Sequence, residues 1–269
     1  MVNILNSSRR IEIHDVTPEN LDDIIYVCSK DKMNDPVHRE GIRVKKEWLK
    51  NMLSLCGSVG KVAYLNGKPV GQILYYPHCF DPYYRGLNGE GLIIACIYCP
   101  FTWAQRRGIG TRLLDSVIQY AKSLRTYDFV IANAFDTREF LPMPKFYVKK
   151  GFEPMHEFED HYYLSLSDKR PVIKRIDHIM DPEDEGSALI FYAPVCQFFV
   201  PFAYKARDLI LMVLPHYQVK IINYWKNPQL FLRKGKKFIL VNGVSIKSWV
   251  QETEKFKQEV LAASQCKIA

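Results

Sequence analysis

The feature that most constrains the fold is an apolar run followed by a glycine-containing loop and an amphipathic helix. Residues 92–99 are almost all apolar, which predicts a strand covered on both faces. After the loop at residues 105–111, Leu113, Leu114 and Val117 recur at helical spacing and predict a helix with one buried side. A buried strand that leads into such a helix is typical of an α/β sheet with helices packed on it.

Strands and helices alternate on both sides of this segment. Before it, we expect a strand at 11–16, helices at 17–28 and 44–55, and a hairpin of strands 62–65 and 70–75 around Asn66-Gly67. After it, we expect a strand at 129–132, a short helix at 142–150, and closing strands at 152–158 and 161–166.

An acidic stretch punctuated by proline and glycine, residues 181–186, predicts a loop between two domains. We expect a first domain over residues 1–170, a linker over 171–186 and a smaller α/β domain over 187–269. The patterns in the second domain predict, in order, a strand, a long helix, a strand, a loop, a hairpin and a final helix. Their expected positions are 188–192, 198–214, 219–224, 238–241 with 244–246, and 249–261.

Composition indicates a folded protein of the cytoplasm. With 48% hydrophobic and 25% charged residues, the chain is unlike disordered or collagen-like sequences. No apolar run reaches the roughly 18 residues of a membrane span, and the N-terminus does not read as a signal peptide. Seven scattered cysteines favour reduced thiols over a disulfide framework. The net charge of +8 fits a solvated basic face or attraction to an anionic partner, but no nucleic-acid module is present, so we expect no nucleic-acid partner.

The loop after the apolar run carries the clearest chemical signal. It reads Gln105-Arg106-Arg107-Gly108-Ile109-Gly110-Thr111. Two glycines two positions apart permit a tight turn and a close approach of the backbone to a ligand. The helix that follows begins with unpaired amides and the positive end of its dipole, so the segment predicts an anion site suited to a pyrophosphate. Leu113 replaces the third glycine of the dinucleotide fingerprint, and no Gly-Lys-Ser/Thr of a P-loop follows.

These residues resemble the GNAT family of acyl-CoA-dependent N-acetyltransferases. The acetyl-CoA loop of that family reads Arg/Gln-x-x-Gly-x-Gly/Ala, and the segment from Gln105 to Gly110 matches each fixed position. A second family motif, Tyr-x-x-x-Gly-Phe, is matched by Tyr147, Gly151 and Phe152. The order of the predicted elements in the first domain matches as well. The resemblance implies a GNAT fold with a mixed, splayed central sheet, and acetyl-CoA as the cosubstrate.

The resemblance also implies roles for individual residues. Backbone groups of Ile97, Tyr98 and Cys99 would pair with pantetheine in the gap beside the next strand. Cofactor binding would further involve Gln105 and the amides of Arg106, Arg107, Gly108, Ile109, Gly110 and Thr111, which would hold the pyrophosphate. Tyr147 stands at the position of the general acid that protonates the departing thiolate. The alternative for Tyr147 is a helix aromatic packed on the core.

The general base is left open. Residues 92–99 contain no Asp or Glu, although some relatives carry a carboxylate there. Glu90, Asp136, His78 and His14 are candidates, and a chain of water molecules is the alternative to a single base.

Two further clusters are weaker signals. Cys96 and Cys99 form Cys-x-x-Cys, but residues three apart on a strand point to opposite faces, so we expect core thiols and no metal site. The aromatic-rich segment at residues 75–84 is open between a lid pinned by its own rings and a wall of the pocket for the acceptor amine.

The second domain resembles the thioredoxin fold in the order of its elements. Cys196 stands where thioredoxins have the first redox cysteine, and Pro201 matches the kink of their first helix. Phe199 replaces the second cysteine, so no internal Cys-x-x-Cys disulfide can form, and the usual proline before the third strand is missing. An acetyltransferase followed by such a degenerate module resembles the YoaP-type group of GNAT proteins. Cys196 at a helix start is then either a thiol of lowered pKa or an inert cap.

The sequence thus predicts a transfer of acetyl groups from acetyl-CoA to a primary amine, by direct attack of the amine on the thioester. The amine would belong to a small molecule or a peptide. The alternative is a CoA-binding or partner-recognition protein with little turnover, in which the second domain serves for docking. The oligomeric state is not predicted.

Overall fold

The computed structural model describes residues 10–134, 142–155, 158 and 160–266. These residues group into two compact units. The first unit contains the described residues of 1–32, 49–80 and 84–173, and the second contains those of 33–48, 81–83 and 174–269.

The first unit is built on a seven-stranded mixed sheet. Its strands are β1 (Ile11–Asp15), β2 (Gly60–Leu65), β3 (Lys68–Pro77), β4 (Gly91–Tyr98), β5 (Phe129–Asn133), β6 (Glu153–Pro154) and β7 (His161–Ser165). The spatial order is β1-β2-β3-β4-β5-β7-β6, with β4 and β5 parallel and the other neighbours antiparallel. Its helices are α1 (Leu21–Ser29), the second half of α2 (Pro36–Cys56), α3 (Ile109–Leu124) and α4 (Met143–Lys149). This architecture confirms the predicted mixed α/β class.

The tight turn between β2 and β3 confirms the predicted hairpin. Asn66 and Gly67 both adopt positive φ angles, 52° and 75°. These are the left-handed conformations that a two-residue hairpin turn requires, and Asn-Gly supplies them at low cost.

Strand β4 separates from β5 halfway along its length. The two strands pair only where Gly91–Ile94 faces 129–132. Beyond that point, among the described strands, β4 continues to pair with β3 through Cys96, Ile97 and Tyr98. The residues of β4 change from buried to half-buried at the same place. The sheet therefore opens at the carboxyl ends of its two parallel strands, where the loop to α3 begins. We call this opening between β4 and β5 the splay.

Helix α3 packs closely on one face of the sheet. A Cβ on Gly71 of β3 would lie 2.8 Å from Cys99 Sγ and 3.0 Å from Ile109 Cγ2, so only glycine permits this approach. Ile73 of β3 belongs to the same apolar cluster as Leu113 of α3. Because successive residues of a strand alternate, the neighbours of Gly71 and Ile73 point to the opposite face.

The second unit is a smaller sheet with helices. Its elements are β8 (Ser187–Tyr192), α5 (Phe199–Val213), β9 (Gln218–Asn223), α6 (Pro228–Arg233), β10 (Ile239–Val241), β11 (Val244–Ser245) and α7 (Thr253–Ser264), with the first half of α2. The strand order is β11-β10-β8-β9, in which β8 and β9 are parallel and β10 is antiparallel to both β8 and β11. Ile210 of α5 and Phe256 and Val260 of α7 are fully buried in its core.

Within the second unit, the first half of α2 packs against the loop that follows β8. His38, Gly41 and Lys45 lie on one side of the helix. The His38 ring packs on Phe198 with centroids 4.8 Å apart, and Lys45 Nζ donates to Gln197 Oε1 at 2.8 Å. A Cβ on Gly41 would lie 2.0 Å from the Gln197 carbonyl oxygen, so a glycine is required for this contact.

A buried ion cluster anchors the segment before β8. Lys234, 2% exposed, donates to Asp181 and to Asp184 Oδ2 at 2.6 Å, and also to the carbonyl of Ile179. Hydrogen bonding to Lys234 holds the pKa of Asp181 below its usual range. Of the segment predicted as a linker, the part from Lys174 onward thus belongs to the second unit.

Several boundaries differ from the sequence prediction. Helix α1 begins at Leu21 rather than at residue 17, because residues 18–20 form a turn in which the Thr17 amide donates to Asn20 Oδ1 at 2.8 Å. Helix α2 begins at Pro36 rather than at residue 44, and α6 lies where only a loop was expected. Strand β6 covers just Glu153–Pro154. None of the described helices has the length and apolarity to cross a membrane.

Candidate active site

The loop between β4 and α3 adopts the conformation of an anion cradle. Arg106 has a φ of 58°, and Gly108 caps α3 in the left-handed region with φ 74° and ψ 15°. At the start of α3, the Arg112 amide donates a hydrogen bond to the Gly108 carbonyl at 2.9 Å. The amides of Ile109, Gly110 and Thr111 precede it and point out of the helix N-terminus, where they offer donors and a positive dipole end to an anion.

Gly108 and Gly110 are glycines for different reasons. Gly108 needs the left-handed conformation, which other residues adopt only with strain. Gly110 lies in the first turn of α3, and a Cβ there would meet nothing closer than Ile97 Cδ1 and Phe146 Cζ, both at 3.9 Å. Of the two expected roles, the tight turn belongs to Gly108, and the close approach of the backbone to a ligand stays a prediction for Gly110. Its missing side chain leaves open space beside Ile97, on the splayed half of β4.

Gln105 ties the loop to the end of β4. Its side-chain Nε2 donates to the Cys99 carbonyl at 3.1 Å. Arg107 donates from Nε and Nη2 to the Trp103 carbonyl at 3.4 and 3.3 Å, whereas the side chain of Arg106 is exposed. Of the two arginines, Arg106 is therefore the one whose charge faces solvent at the cradle.

Ile97 and Tyr98 are the last two residues of β4, and Cys99 follows directly after the strand. Cys96 Sγ accepts a bond from Gln72 Nε2 at 3.1 Å, whereas Cys99 Sγ lies against Gly71 on the α3 face. The two thiols thus point to opposite faces, as their spacing predicts. Both are half-buried rather than core residues, and burial raises the pKa of Cys99 to about 12. Among the described residues, no group of three or more potential metal ligands is found.

Tyr147 lies on α4 and is almost completely buried, with 1% of its surface exposed. Its ring packs on Phe146 and Phe152 with centroids 5.5 and 5.1 Å away. Burial, with a smaller contribution from the nearby Cys96 thiol, raises the pKa of Tyr147 well above its usual value. The hydroxyl is therefore protonated at neutral pH.

The base candidates from the sequence lie elsewhere. Glu90 precedes β4, and His78 Nδ1 accepts from the Gly91 amide at 3.1 Å, so both stand at the closed end of the strand. A strand of this length spans roughly 26 Å, which separates both residues from the open end of β4. His14 is on β1 at the edge of the sheet, bonded to Glu12. Asp136 lies outside the described residues.

Two residues near the splay were not singled out from the sequence. His161 pairs with Asn133 at the carboxyl end of β5 and is 5% exposed. Its strand neighbour Tyr162 packs on the α3 side, so His161 points to the other face. Gln72, on β3, points to the same face as Cys96. A single histidine or glutamine in an apolar strand gives no sequence signal of function, because the pairing of strands brings them there.

The aromatic residues at 75–84 include buried strand residues and residues held by contacts between rings. Tyr75 and Tyr76 belong to β3 and are buried. Within the second unit, Tyr83 stacks on Phe238 with centroids 5.7 Å apart. Within the first unit, Tyr84 contacts the His161 ring edge-on at 5.9 Å. At least part of the segment is thus held by packing.

Cys196 lies in the loop between β8 and α5. It is half-buried, and its carbonyl accepts from the amide of Phe199, the first residue of α5. Phe198, just before the helix, packs on Phe202 at 6.3 Å. The corner around the thiol is thus built of aromatic side chains.

Part of the chain matches a known protein family. Residues 25–152 match the model of the Acetyltransferase (GNAT) family, a segment that includes both the loop at Gln105–Gly110 and the motif from Tyr147 to Phe152. This segment is therefore similar to GNAT-family acetyltransferases over a little under half of the chain. None of the curated proteins matches the chain.

Several solved structures are similar to part of this chain. A GNAT acetyltransferase from Brucella melitensis, in complex with acetyl-CoA, has 13% identity and a TM-score of 0.41, and covers 62% of this chain and 94% of its own. A putative acetyltransferase from Desulfovibrio desulfuricans has 18% identity and a TM-score of 0.44, and the match covers 59% of this chain and 100% of the other chain. A GNAT N-acetyltransferase from Escherichia coli, in complex with CoA, has 14% identity and a TM-score of 0.41. The match covers 61% of this chain and 85% of the other chain.

Proposed function

We propose that this protein is an N-acetyltransferase that moves an acetyl group from acetyl-CoA to a primary amine. The observation that carries the proposal is the open side of Gly110, next to Ile97 on the splayed half of β4. A GNAT-family domain has its acetyl-CoA loop in this segment. Packing does not require a glycine at position 110, so the space beside it is available to the pyrophosphate of acetyl-CoA.

The residues present suit such a cosubstrate. Amides at the start of α3, left-handed turns at Arg106 and Gly108, and the exposed charge of Arg106 together favour a pyrophosphate. In this proposal pantetheine pairs with the edge of β4 at Ile97, Tyr98 and Cys99, which lies beyond the last residue pair of β4 with β5. Gln105 positions this edge through its bond to the Cys99 carbonyl.

Tyr147 acts in this proposal as the general acid. Attack of a neutral amine on the thioester forms a C–N bond, and cleavage of the C–S bond then releases a thiolate. Tyr147 donates its hydroxyl proton to this thiolate and is reprotonated from solvent, while the ammonium nitrogen loses a proton to water or to a base. The raised pKa of Tyr147 keeps the proton in place until the thiolate forms.

We further propose that the second unit has a thioredoxin-like fold and does not carry out dithiol chemistry. The strand order β11-β10-β8-β9, with only the β8–β9 pair parallel, supports this assignment. In a dithiol enzyme, a second cysteine attacks the mixed disulfide and releases the substrate. Phe199 stands at the position of that second cysteine, so a mixed disulfide formed at Cys196 cannot be resolved in this way. Contacts of Gln197 and Phe198 with α2 favour a role for this corner in packing.

Substitution of Gly110 tests the proposed cofactor loop. Gly110→Asp places a carboxylate in the first turn of α3, and we expect it to abolish acetyl-CoA binding in calorimetric titration through crowding and like-charge repulsion. Gly110→Ala is the matched control, because its Cβ fits at 3.9 Å from its neighbours, and it should retain far more affinity. Unchanged affinity in Gly110→Asp would refute the assignment of the loop.

A further inference from the structure

Gln72 of β3 has a buried polar atom with no hydrogen-bond partner among the described residues. The residue is 0% exposed, and its Nε2 donates to Cys96 Sγ at 3.1 Å. Its Oε1 is buried, and no donor of the described residues reaches it. Rotating the amide would exchange the two atoms and leave Nε2 without a partner, since one thiol satisfies only one of them.

An unpaired buried oxygen calls for an explanation. Burying a carbonyl without a hydrogen bond costs free energy, and nearly all buried polar groups in native proteins are paired. An apolar side chain such as methionine would fill the same volume at no such cost. The glutamine is therefore explained best by a donor that is not part of the described chain.

The position of Gln72 indicates what that donor is. Gly71 points to α3, so Gln72 points to the opposite face of the sheet. Its partner Cys96 lies on the splayed half of β4, which pairs with β3 but not with β5. The oxygen thus lies beside the splay, on the face away from the helix that carries the cofactor loop. Because the cofactor loop leads into α3, we place the acceptor amine on this opposite face.

We propose that Gln72 Oε1 accepts a hydrogen bond from an N–H of the acceptor amine. This inference rests on the proposed function. An uncharged acceptor suits the reactive neutral amine, whereas a carboxylate would stabilise the ammonium ion, which cannot attack. One N–H is held by Gln72 and a second must leave as a proton. The geometry therefore selects primary amines, since a secondary amine has no second N–H to lose.

The test compares Gln72→Met with the wild-type enzyme. The probes are primary amines that the wild type acetylates, each paired with its N-methyl derivative. We expect Gln72→Met to lower kcat/KM for the primary amine roughly tenfold or more, as for a lost substrate hydrogen bond. We also expect the preference for the primary amine over its N-methyl derivative to shrink, with the Kd for acetyl-CoA and the Tm preserved. Leu74→Met, on the same face of β3 and equally buried, should leave both kinetic quantities unchanged.

The outcomes separate the two proposals. If the wild type binds acetyl-CoA but acetylates no amine, the proposed function fails and this inference fails with it. If the wild type is active and Gln72→Met keeps both its kcat/KM and its preference, the inference alone is overturned. An equal loss with primary and N-methyl amines would also overturn it, because this would indicate a structural role.

Discussion

At the scale of single residues, Tyr147 combines burial, aromatic packing and a position near the splay. The sequence offered two interpretations of this residue, a general acid or a core aromatic. The structure shows that the ring packs in the core and that Cys96 on β4 affects its pKa. A measurement of the hydroxyl's contribution to kcat separates the two interpretations.

We predict that Tyr147→Phe lowers kcat about 10- to 10⁴-fold, the range for a lost general acid, while the Kd for acetyl-CoA changes little. Phenylalanine preserves the packing on Phe146 and Phe152. Steady-state kinetics and calorimetric titration check the two parts. Tyr162→Phe is a matched control, because Tyr162 is a partly buried tyrosine packed on the same apolar cluster. An unchanged kcat would assign Tyr147 to packing alone.

The same residue has a consequence for the pH profile. The acid form of Tyr147 is the active one, and its raised pKa extends that form to higher pH. Tyrosine has a reference pKa of about 10, so Tyr147 should cause no fall of kcat on the alkaline side below about pH 10. A descending limb below that pH that disappears in Tyr147→Phe would contradict the direction of the shift.

At the scale of elements, α2 shows why only part of a helix was predictable. The sequence predicts residues 44–55, whereas the helix covers Pro36–Cys56. Gly41 weakens the helical pattern, since glycine costs about 1 kcal/mol in a helix interior. The glycine is required by the carbonyl of Gln197, a residue far away in the chain. A tertiary contact therefore explains a residue that looks unfavourable locally.

The contact between Lys45 and Gln197 gives an asymmetric prediction for stability. Gln197→Leu should cost more than Lys45→Met, because it leaves a buried ammonium without its acceptor, whereas the lysine change leaves only a buried amide. We expect roughly 3 kcal/mol or more for the first and about 1–3 kcal/mol for the second. Denaturant unfolding of the full chain measures both. The exposed Lys50→Met is the control and should be near neutral; equal costs for the two buried changes would contradict the role of the charge.

Local patterns predicted some elements well. The hairpin around Asn66-Gly67, the central strand and α3 follow from turn chemistry and periodicity. Helix α6 was missed because it is one short segment, Pro228–Arg233, in which few positions reveal a period. Among the described residues of the predicted strand 152–158, β7 pairs with Glu153 and Pro154, which is why the strand observed there is short.

At the scale of the whole molecule, strand order decides how much of the site is visible in the sequence. The cofactor loop is one contiguous segment, so its motif can be recognised from the residues alone. The opposite face of the splay is assembled from β3, β4 and β7, and only the sheet order brings Gln72, Cys96 and His161 to it. Glu90 and His78 looked suitable by residue type, but lie at the wrong end of β4. Likewise, the assignment of residues 33–48 to the second unit follows from packing and not from chain order.

The central claim is that this chain transfers acetyl groups rather than only binding CoA. The most direct measurement combines thiol release from acetyl-CoA with mass spectrometry of the acceptor, over a panel of a polyamine, an aminoglycoside, an amino acid and a peptide with a free N-terminus and a lysine. We predict that at least one primary amine gives thiol release in equal amount to its acetylated product, and that Gly110→Asp abolishes both. Tight binding of acetyl-CoA with no amine-dependent release of thiol across the panel would contradict the claim and favour a CoA-binding protein.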